Sequence, residues 1–383
     1  MINRPEIIIV TLLPAQGTTG VQTHFNQIIK VAQAEGYATR LVHPYELNWF
    51  VRKSTGLVGK LLRLISKEYV ELWARFSHFQ ILKFKLKKIL SSKSQRFVIY
   101  AQDPLSAKAA LRSRNNTDTQ KVLTVIHFNI SEADEYLVKG ITKKNSWLFN
   151  HLVNTEKNTL PNVDKSIFVS QFMCNVVQER LAITKKTPHI VIPNFIEDTT
   201  DSLKKSDSIK DIITIGTLES RKNQAFILHV LAACNARGKF YTLTIIGDGP
   251  DRLALEELSK DLNLTDQITF MGFIPDAIQY IKSHKIYAHA ALLENMPLTL
   301  MEALSKNVPI ISAPVGGIPE IYSDGKEGLY WPLNDVEKAA DNLIKLLENK
   351  SLYAEMAKNA RICYEQNFSK ESLAHKWLNN LVS

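Results

Sequence analysis

Cysteine is scarce: Cys174, Cys234 and Cys363 are the only three in 383 residues, far apart and odd in number. With no C-x-x-C and no zinc-ligand spacing, a disulfide framework or zinc site is not expected. The thiols read as small apolar residues in a reducing compartment, so the expected location is cytoplasmic. No apolar run approaches the roughly 18 residues of a membrane-spanning helix. The opening MINRPEIIIVTLLP has one basic residue, no small-residue cleavage site and Glu6 where a signal core would be. It reads as a first β-strand rather than a signal peptide. No Walker pattern occurs, and neither G-x-G-x-x-G nor its partner acid, so a nicotinamide-dependent dehydrogenase fits poorly. No internal repeat with a period of about 20–50 residues is visible.

What is present is an ordinary globular composition, 45% apolar and 22% charged, with length for two or three domains. The net charge of +9 is local. Residues 52–96 hold twelve Lys or Arg against two acids, Glu68 and Glu71, enough to account for the whole excess. Trp49, Phe50, Leu61, Ile65, Trp73, Phe76 and Phe84 interleave with those cations. The segment 46–96 therefore reads as a basic amphipathic helical region suited to an anionic membrane surface, with a solvated helix pair as the plain alternative.

Strand and helix patterns alternate along the chain. EIIIVTLL (6–13), TRLVHP, RFVIYAQ, KVLTVIHF, KSIFVS and HIVIPN read as strands, with helices over about 21–35 and 104–113 among the segments between them. The polar stretch 198–211 reads as a linker. The alternation then restarts with DIITIGTL, followed by a helix from Asn223 as N-cap to Gly238 as C-cap. YTLTIIGDGP, QITFMGF, IYAHAAL, VPIISAPV and GLYWPL follow. Two such runs predict an α/β fold of two Rossmann-like doubly wound domains, with ligand at strand carboxyl ends and the cleft between domains as the default site. The expected boundaries are 1–195 for the first domain, completed by a C-terminal helix at about 366–383, and 196–365 for the second.

Several strand-end segments carry chemistry. QGTTGVQTHF (16–25) puts Gly20 and Val21 where a helix N-terminus offers N–H groups to phosphate; a tight turn without ligand has the same pattern. IGTLESRKNQ (215–224) repeats the geometry at Gly216, with Arg221 and Lys222 at the helix start. Cations there oppose the helix dipole, and a bound anion between them would relieve the conflict. In IIGDGP (245–250), turn chemistry accounts for both glycines. LLENMPLTLMEAL (292–304) holds two carboxylates eight positions apart. Pro297 opens a helix over about 297–306, so Glu294 lies just ahead of the N–H groups of Asn295, Met296 and Leu298, and Glu302 lies inside it. The plain alternatives are a capping role for Glu294 and an i,i+4 pair of Glu302 with Lys306. PVGGIPE (314–320) adds another glycine turn. His127 ends the fourth strand, where a buried, satisfied imidazole is the plain reading.

These segments resemble a known family. The E-x7-E pair Glu294 and Glu302, the IGTLESRKN loop, IIGDGP, FMGFIPD and APVGGIPEI look like a retaining GT-B glycosyltransferase of the family 4 type over about 212–332. TGVQTHF, TVIHFN, SIFVSQFM and VIPNFI extend the resemblance, less tightly, through the first half. It implies two Rossmann-like domains, bacterial exopolysaccharide or lipid-linked glycan assembly, and a nucleotide-sugar donor, with UDP-glucose the first candidate. Glu302 would accept the ribose hydroxyls; Glu294 and the N–H groups of Asn295, Met296 and Leu298 would hold the donor sugar. Lys222 would pair with the diphosphate, Gly20 and Val21 would approach the donor from the other domain, Phe273 would lie beside the base, and His127 near the sugar. One departure stands out: the family often has Arg directly after the loop glycine, and here that position is Thr217. Arg221 would have to substitute, or Lys222 and helix dipoles act alone.

Breaking an anomeric C–O bond to a diphosphate develops negative charge on the leaving group, which fixed cations and N–H donors stabilise. Lys222, Arg221 and two helix N-termini suit that need. No D-x-D occurs, and the resemblance implies work without a metal and without a resident cofactor, the nucleotide-sugar being a co-substrate. The acceptor expectation is a glycan or polyprenyl-diphosphate-linked sugar, met by a protein peripheral at the inner membrane face. The rivals are a UDP-sugar epimerase of the same architecture and a non-catalytic sugar or nucleic-acid binder; no recognisable nucleic-acid module supports the latter.

Overall fold

The computed structural model describes residues 4–17, 19–45, 58–59, 61–92, 95–181, 187–198 and 209–383. Arg52, Lys53, Lys60, Lys93, Trp49 and Phe50 of the basic segment, Thr18 of the first glycine loop, and 199–208 of the expected linker lie outside them. Two compact units result, residues 1–193 with 374–383, and residues 194–373.

In the first unit the strands are β1 (Glu6–Val10), β2 (Thr39–Val42), β3 (Phe97–Ala101), β4 (Gln120–Ile126), β5 (Lys165–Phe168) and β6 (His189–Val191), in the order β2-β1-β3-β4-β5-β6. All pairings are parallel. EIIIV and FVIYA are buried at every position, as central strands covered on both faces must be, whereas edge strand β6 is not. The helices are α1 (Gly20–Ala34), α2 (Lys67–Ile89), α3 (Pro104–Ser113), α4 (Glu132–Val138), α5 (Trp147–Thr159) and α6 (Gln171–Arg180). Their starts are written locally. Asp103, Ser131, Ser146 and Ser170 cap α3 to α6, and Pro104 at the first position of α3 has the φ a helix start needs.

The second unit repeats the scheme with β7 (Lys210–Ile215), β8 (Leu243–Ile246), β9 (Ile268–Gly272), β10 (His284–His289), β11 (Ile310–Ser312) and β12 (Gly328–Tyr330). The order is β12-β11-β10-β7-β8-β9, again parallel. The helices α7 (Gln224–Asn235), α8 (Arg252–Asp261), α9 (Leu298–Ser305), α10 (Val336–Glu348) and α11 (Lys350–Asn367) surround the sheet. The core centres on Phe226, Leu231, Ile286, Leu343 and Trp331, whose ring meets Phe226 edge-on. Fully burying side chains of this size contributes roughly 1.5–3 kcal/mol each. Helix α12 (Lys370–Val382) contributes its residues from Ala374 to the first unit, where Trp377 is fully buried and donates its indole N–H to the Pro193 carbonyl at 2.8 Å.

Two expectations change. The described ends of the linker are part of the second unit. Asp198 pairs with Arg361 at 2.7 Å and Lys306 at 3.5 Å, and Asp211 on β7 accepts from Thr242 N at 3.0 Å and pairs with Lys285 at 2.8 Å. The described helix of the basic segment, α2, has two apolar faces rather than one. Leu82, Leu86 and Arg75 face inward, and Tyr69, Phe76 and Phe84 stand exposed on another side. Arg75 can be buried because Glu132 receives it through two bonds, at 2.6 and 2.9 Å, and the Tyr136 ring lies beside it. Among the described residues no helix is long and apolar enough to cross a membrane.

Candidate active site

In the second sheet the strand order reverses between β7 and β10, and a crevice at the carboxyl ends of two such strands is where doubly wound sheets bind ligands. The chain packs its strand-end loops tightly there. Leu218 N donates to Asp248 O at 3.0 Å, and Gly247 N to Gly272 O at 2.8 Å. Gly247 has φ +142°, and a Cβ on it would overlap the carbonyl of Gly216. The glycine in IIGDGP is thus required by backbone contact with IGTL, and turn chemistry alone does not account for it.

Glu294 is the electrostatic centre. Its side chain is 8% exposed and pairs through Oε1 with Lys222 Nζ, with Arg221 Nη1 at 3.1 Å, and approaches His289 Nε2 at 3.4 Å. Despite desolvation, Lys222, His289 and Arg221 together hold the carboxyl far below the usual carboxylate range. His289 Nε2 faces Glu294 Oε1 at 3.4 Å, beyond strict hydrogen-bond geometry among the described residues, and burial pushes the imidazole down while Glu294 pulls it back up. Arg221 also reaches Leu293 O at 3.0 Å and Glu219 at 2.9 Å.

The anion that relieves the two cations at the start of α7 is therefore the protein's own Glu294. The cap of that helix differs from expectation as well: Asn223 adopts φ +53° and makes no side-chain cap bond. Nor does Glu294 cap α9, whose N-cap position is Pro297. Its place is fixed through the backbone: Gly317 N donates to Glu294 O at 3.0 Å, and Gly316, at φ +59°, lies so close that a Cβ would overlap that carbonyl. PVGG is thus the brace for Glu294. Gly316→Ala combines a left-handed backbone with this clash, and is expected to cost about 2–4 kcal/mol of stability; thermal denaturation measures it.

Glu302 sits on α9, half-buried. Among the described residues no hydrogen bond or ion pair reaches its carboxylate, and burial alone pushes it up to about 7. Lys306, the expected i,i+4 partner, pairs with Asp198 instead. Tyr287 ties the site together, its hydroxyl donating to Ile215 O at 3.0 Å. Asn295 and Met296 are buried and Leu298 opens α9 with first-turn N–H groups that lack intrahelical acceptors. Gly216 follows β7, Thr217 beside it is exposed, and Phe273, 61% exposed, follows β9. Arg221 and Lys222 both meet Glu294. His289 was missed by sequence reasoning, although a His closing the apolar run IYAHAA has the same form as His127 in TVIHFN.

In the first unit, Gly20 opens α1 and is exposed, with Val21 next to it half-buried. Thr19 and Gln22 form a capping box, and the Gln22 amide donates to Pro14 O at 2.9 Å and Gln16 O at 3.0 Å, bracing the loop. His127 follows β4, with Nε2 at 3.4 Å from Gln102 Oε1 and its ring edge-on to His24 at 4.9 Å. Burial pushes its imidazole down to about 4, so it is uncharged at neutral pH.

Residues 195–362 match the family model described as Glycosyl transferases group 1. The N-acetyl-alpha-D-glucosaminyl L-malate synthase of Bacillus anthracis is 26% identical over 231 residues, 56% of this chain and 59% of the relative. The chain spans under two thirds of the length of the curated relatives it first matches. Sucrose-phosphate synthase from Thermosynechococcus elongatus superposes with a TM-score of 0.74 at 18% identity, covering 98% of each chain. HepE from Anabaena in complex with UDP-glucose superposes with a TM-score of 0.70 at 15% identity, covering 98% of this chain and 99% of that one. The fold is the GT-B fold of these structures, and the similarity to the group 1 family model covers residues 195–362, under half of the chain.

Proposed function

We propose that the protein is a glycosyltransferase of glycan biosynthesis, retaining and metal-independent, of the family 4 type. It moves a sugar from a UDP-sugar, glucose first among candidates, to a glycan or a polyprenyl-diphosphate-linked acceptor. The observation that carries the reading is the contrast within one strand-end site: Glu294 saturated by two cations, and Glu302 on α9 with no hydrogen bond or ion pair to its carboxylate among the described residues. An unpartnered carboxylate in a half-buried position is costly unless a ligand supplies donors. Ribose hydroxyls would supply them.

The ion-pair geometry suggests how the donor engages. Arg221 and Lys222 are balanced by Glu219 and Glu294, and an arriving diphosphate competes with Glu294 for Lys222. Transfer of Lys222 to the phosphates frees the Glu294 carboxylate to accept from donor-sugar hydroxyls, so diphosphate and sugar recognition are coupled. Cations and first-turn N–H groups held in place beforehand then stabilise the charge that grows on the leaving phosphate. His127, as a neutral imidazole, serves as a hydrogen-bonding group toward the sugar; Gly20 and Val21 offer N–H groups at the start of α1. Arg221, already tied to Glu219 and Leu293 O, acts through Glu294 more than as a free replacement for the cation missing at Thr217. The relatives are transferases and synthases, which does not favour an epimerase. Calorimetric titration of UDP, ADP and GDP tests the reading: no nucleotide binding at all would sink it.

The membrane part of the proposal rests on the exposed Tyr69, Phe76 and Phe84 among the cations of α2, and on the exposed Leu61, Leu64 and Ile65 just before it. Flotation with anionic liposomes at low salt is expected to recover the protein, with loss at high salt and on neutral lipid. Equal recovery in all conditions would remove the electrostatic membrane contact.

A further inference from the structure

The first unit carries a pocket of about 220 Å³ on the flank formed by α3 and α5. Trp147, Asn150, His151, Asn154 and Asn158 line it from α5, and Lys108 from α3. The α5 residues follow a spacing of three and four, so they form one stripe along the helix. Folding does not require this stripe. Asn is among the weaker helix formers, and three of them on a 13-residue helix sacrifice about 1–2 kcal/mol against Ala. Trp147 is 72% exposed, an unusual place for the largest apolar side chain. Asn150 uses its amide on Asn145 O at 3.0 Å, but no protein hydrogen bond to the side chains of His151, Asn154 or Asn158 occurs among the described residues. Asn150, Asn154 and Asn158 are exposed, so their amides stand at the pocket with donors and acceptors open to a ligand from solvent.

The chemistry of the lining narrows that ligand. Amides donate and accept in equal measure, which suits vicinal hydroxyls. An indole face suits the C–H face of a pyranose ring, since it is broad, apolar and rigid. Lys108 adds a cation, and burial together with Arg112 and Arg75 lowers its proton affinity, marking a positive field there. His151 is pushed down by burial, with Arg75 and Lys108 adding to the effect, which favours the neutral donor–acceptor form. The volume lies below the roughly 300–1,000 Å³ of drug-sized sites, so it fits a single ring. We propose that this α3–α5 pocket is a saccharide-binding site for one acidic pyranose residue of a glycan, with Trp147 as the stacking platform, the asparagines on the hydroxyls and Lys108 on the carboxylate or phosphate. The pocket belongs to the first unit and the donor-site residues Glu294 and Glu302 to the second, so the two readings stand or fall separately.

Saturation-transfer NMR on the full chain, with UDP present throughout, tests it using glucuronic acid, glucose and acetate as probes. Glucuronic acid is expected to show saturable transfer, strongest at ring protons, with glucose weaker by several-fold and acetate unable to compete. Trp147→Ala and Asn154→Ala, both at exposed positions, are expected to weaken glucuronic acid by about tenfold or more, and Lys108→Ala to erase the preference for it over glucose. Circular dichroism confirms that the variants fold. Transfer that survives Trp147→Ala unchanged, equal competition by acetate, or no transfer from either sugar would each overturn the proposal.

Discussion

On the proposed function Glu294→Ala is expected to abolish sugar transfer, and it is expected to lower stability about as much as Gly316→Ala. The substitution leaves Arg221 and Lys222 adjacent, with side chains only 24% and 17% exposed, and removes the carboxylate both share. Breaking a buried ion pair by deleting one partner costs about 3–5 kcal/mol; partial exposure of the cations reduces this to about 2–4. For a unit of this size that lowers the melting temperature by roughly 5–15 °C. Lys222→Ala is expected to cost less, because Glu294 keeps Arg221 and approaches His289. The double variant should then recover part of the loss, and the cycle yields the coupling directly. The pH dependence has a definite sign. The folded carboxyl titrates far below its ordinary value of 4.5, so the stabilisation is complete above that value and is lost as the pH falls below it. A melting temperature for Glu294→Ala within a degree or two of wild type at pH 7 would contradict the account.

The parts of this molecule that were legible in the sequence are those with local causes. EIIIV and FVIYA are apolar at every position because both faces are covered, and they are the central β1 and β3. The helix expected over 104–113 spans those residues because an aspartate cap, a proline at the first position and an apolar stripe agree. The E-x7-E spacing places two carboxylates on a strand-end loop and the helix after it, as α9 bears out. What could not be read depends on contacts across long separations. Lys222 and Glu294 are 72 residues apart, and no periodicity reports that they meet. The basis for Gly247 lies in the Gly216 carbonyl on another strand, and that for Gly316 in the Glu294 carbonyl. The second apolar face of α2 was hidden because Arg75, charged and so assigned to solvent, is buried by a partner 57 residues away. Burial of a charge follows from its partner, and partners of this kind are invisible to a reading along the chain.

Glu302→Gln is expected to separate binding from stability, moving them in opposite directions. In the free protein the carboxyl is raised to about 7 by burial alone, above its ordinary value of 4.5. The folded state therefore binds a proton more tightly than the unfolded chain, and the contribution of Glu302 to stability declines as pH rises from about 4.5 to about 7. Glutamine has the same shape and no charge to desolvate. The variant is thus expected to match wild type near pH 4.5 and to exceed it by about 1–3 kcal/mol at pH 8, less than the full shift would give because the side chain is only half-buried. Nucleotide affinity should go the other way. Ribose hydroxyls donate, so they favour the ionised carboxylate, and wild-type affinity should strengthen as pH rises through about 7 and then level off. In Glu302→Gln that slope should vanish, and in Glu302→Ala affinity should fall by about tenfold or more, roughly 1.4 kcal/mol. Calorimetry with UDP at pH 6 and pH 8, beside urea denaturation of the same samples, reads both quantities. A site that had evolved only to fold would carry glutamine or leucine here. A residue whose removal stabilises the empty protein and weakens its ligand marks where stability has been exchanged for recognition. Were Glu302→Gln both less stable at pH 8 and unchanged in nucleotide binding, the carboxylate would be structural, and the donor reading of α9 would fail with it.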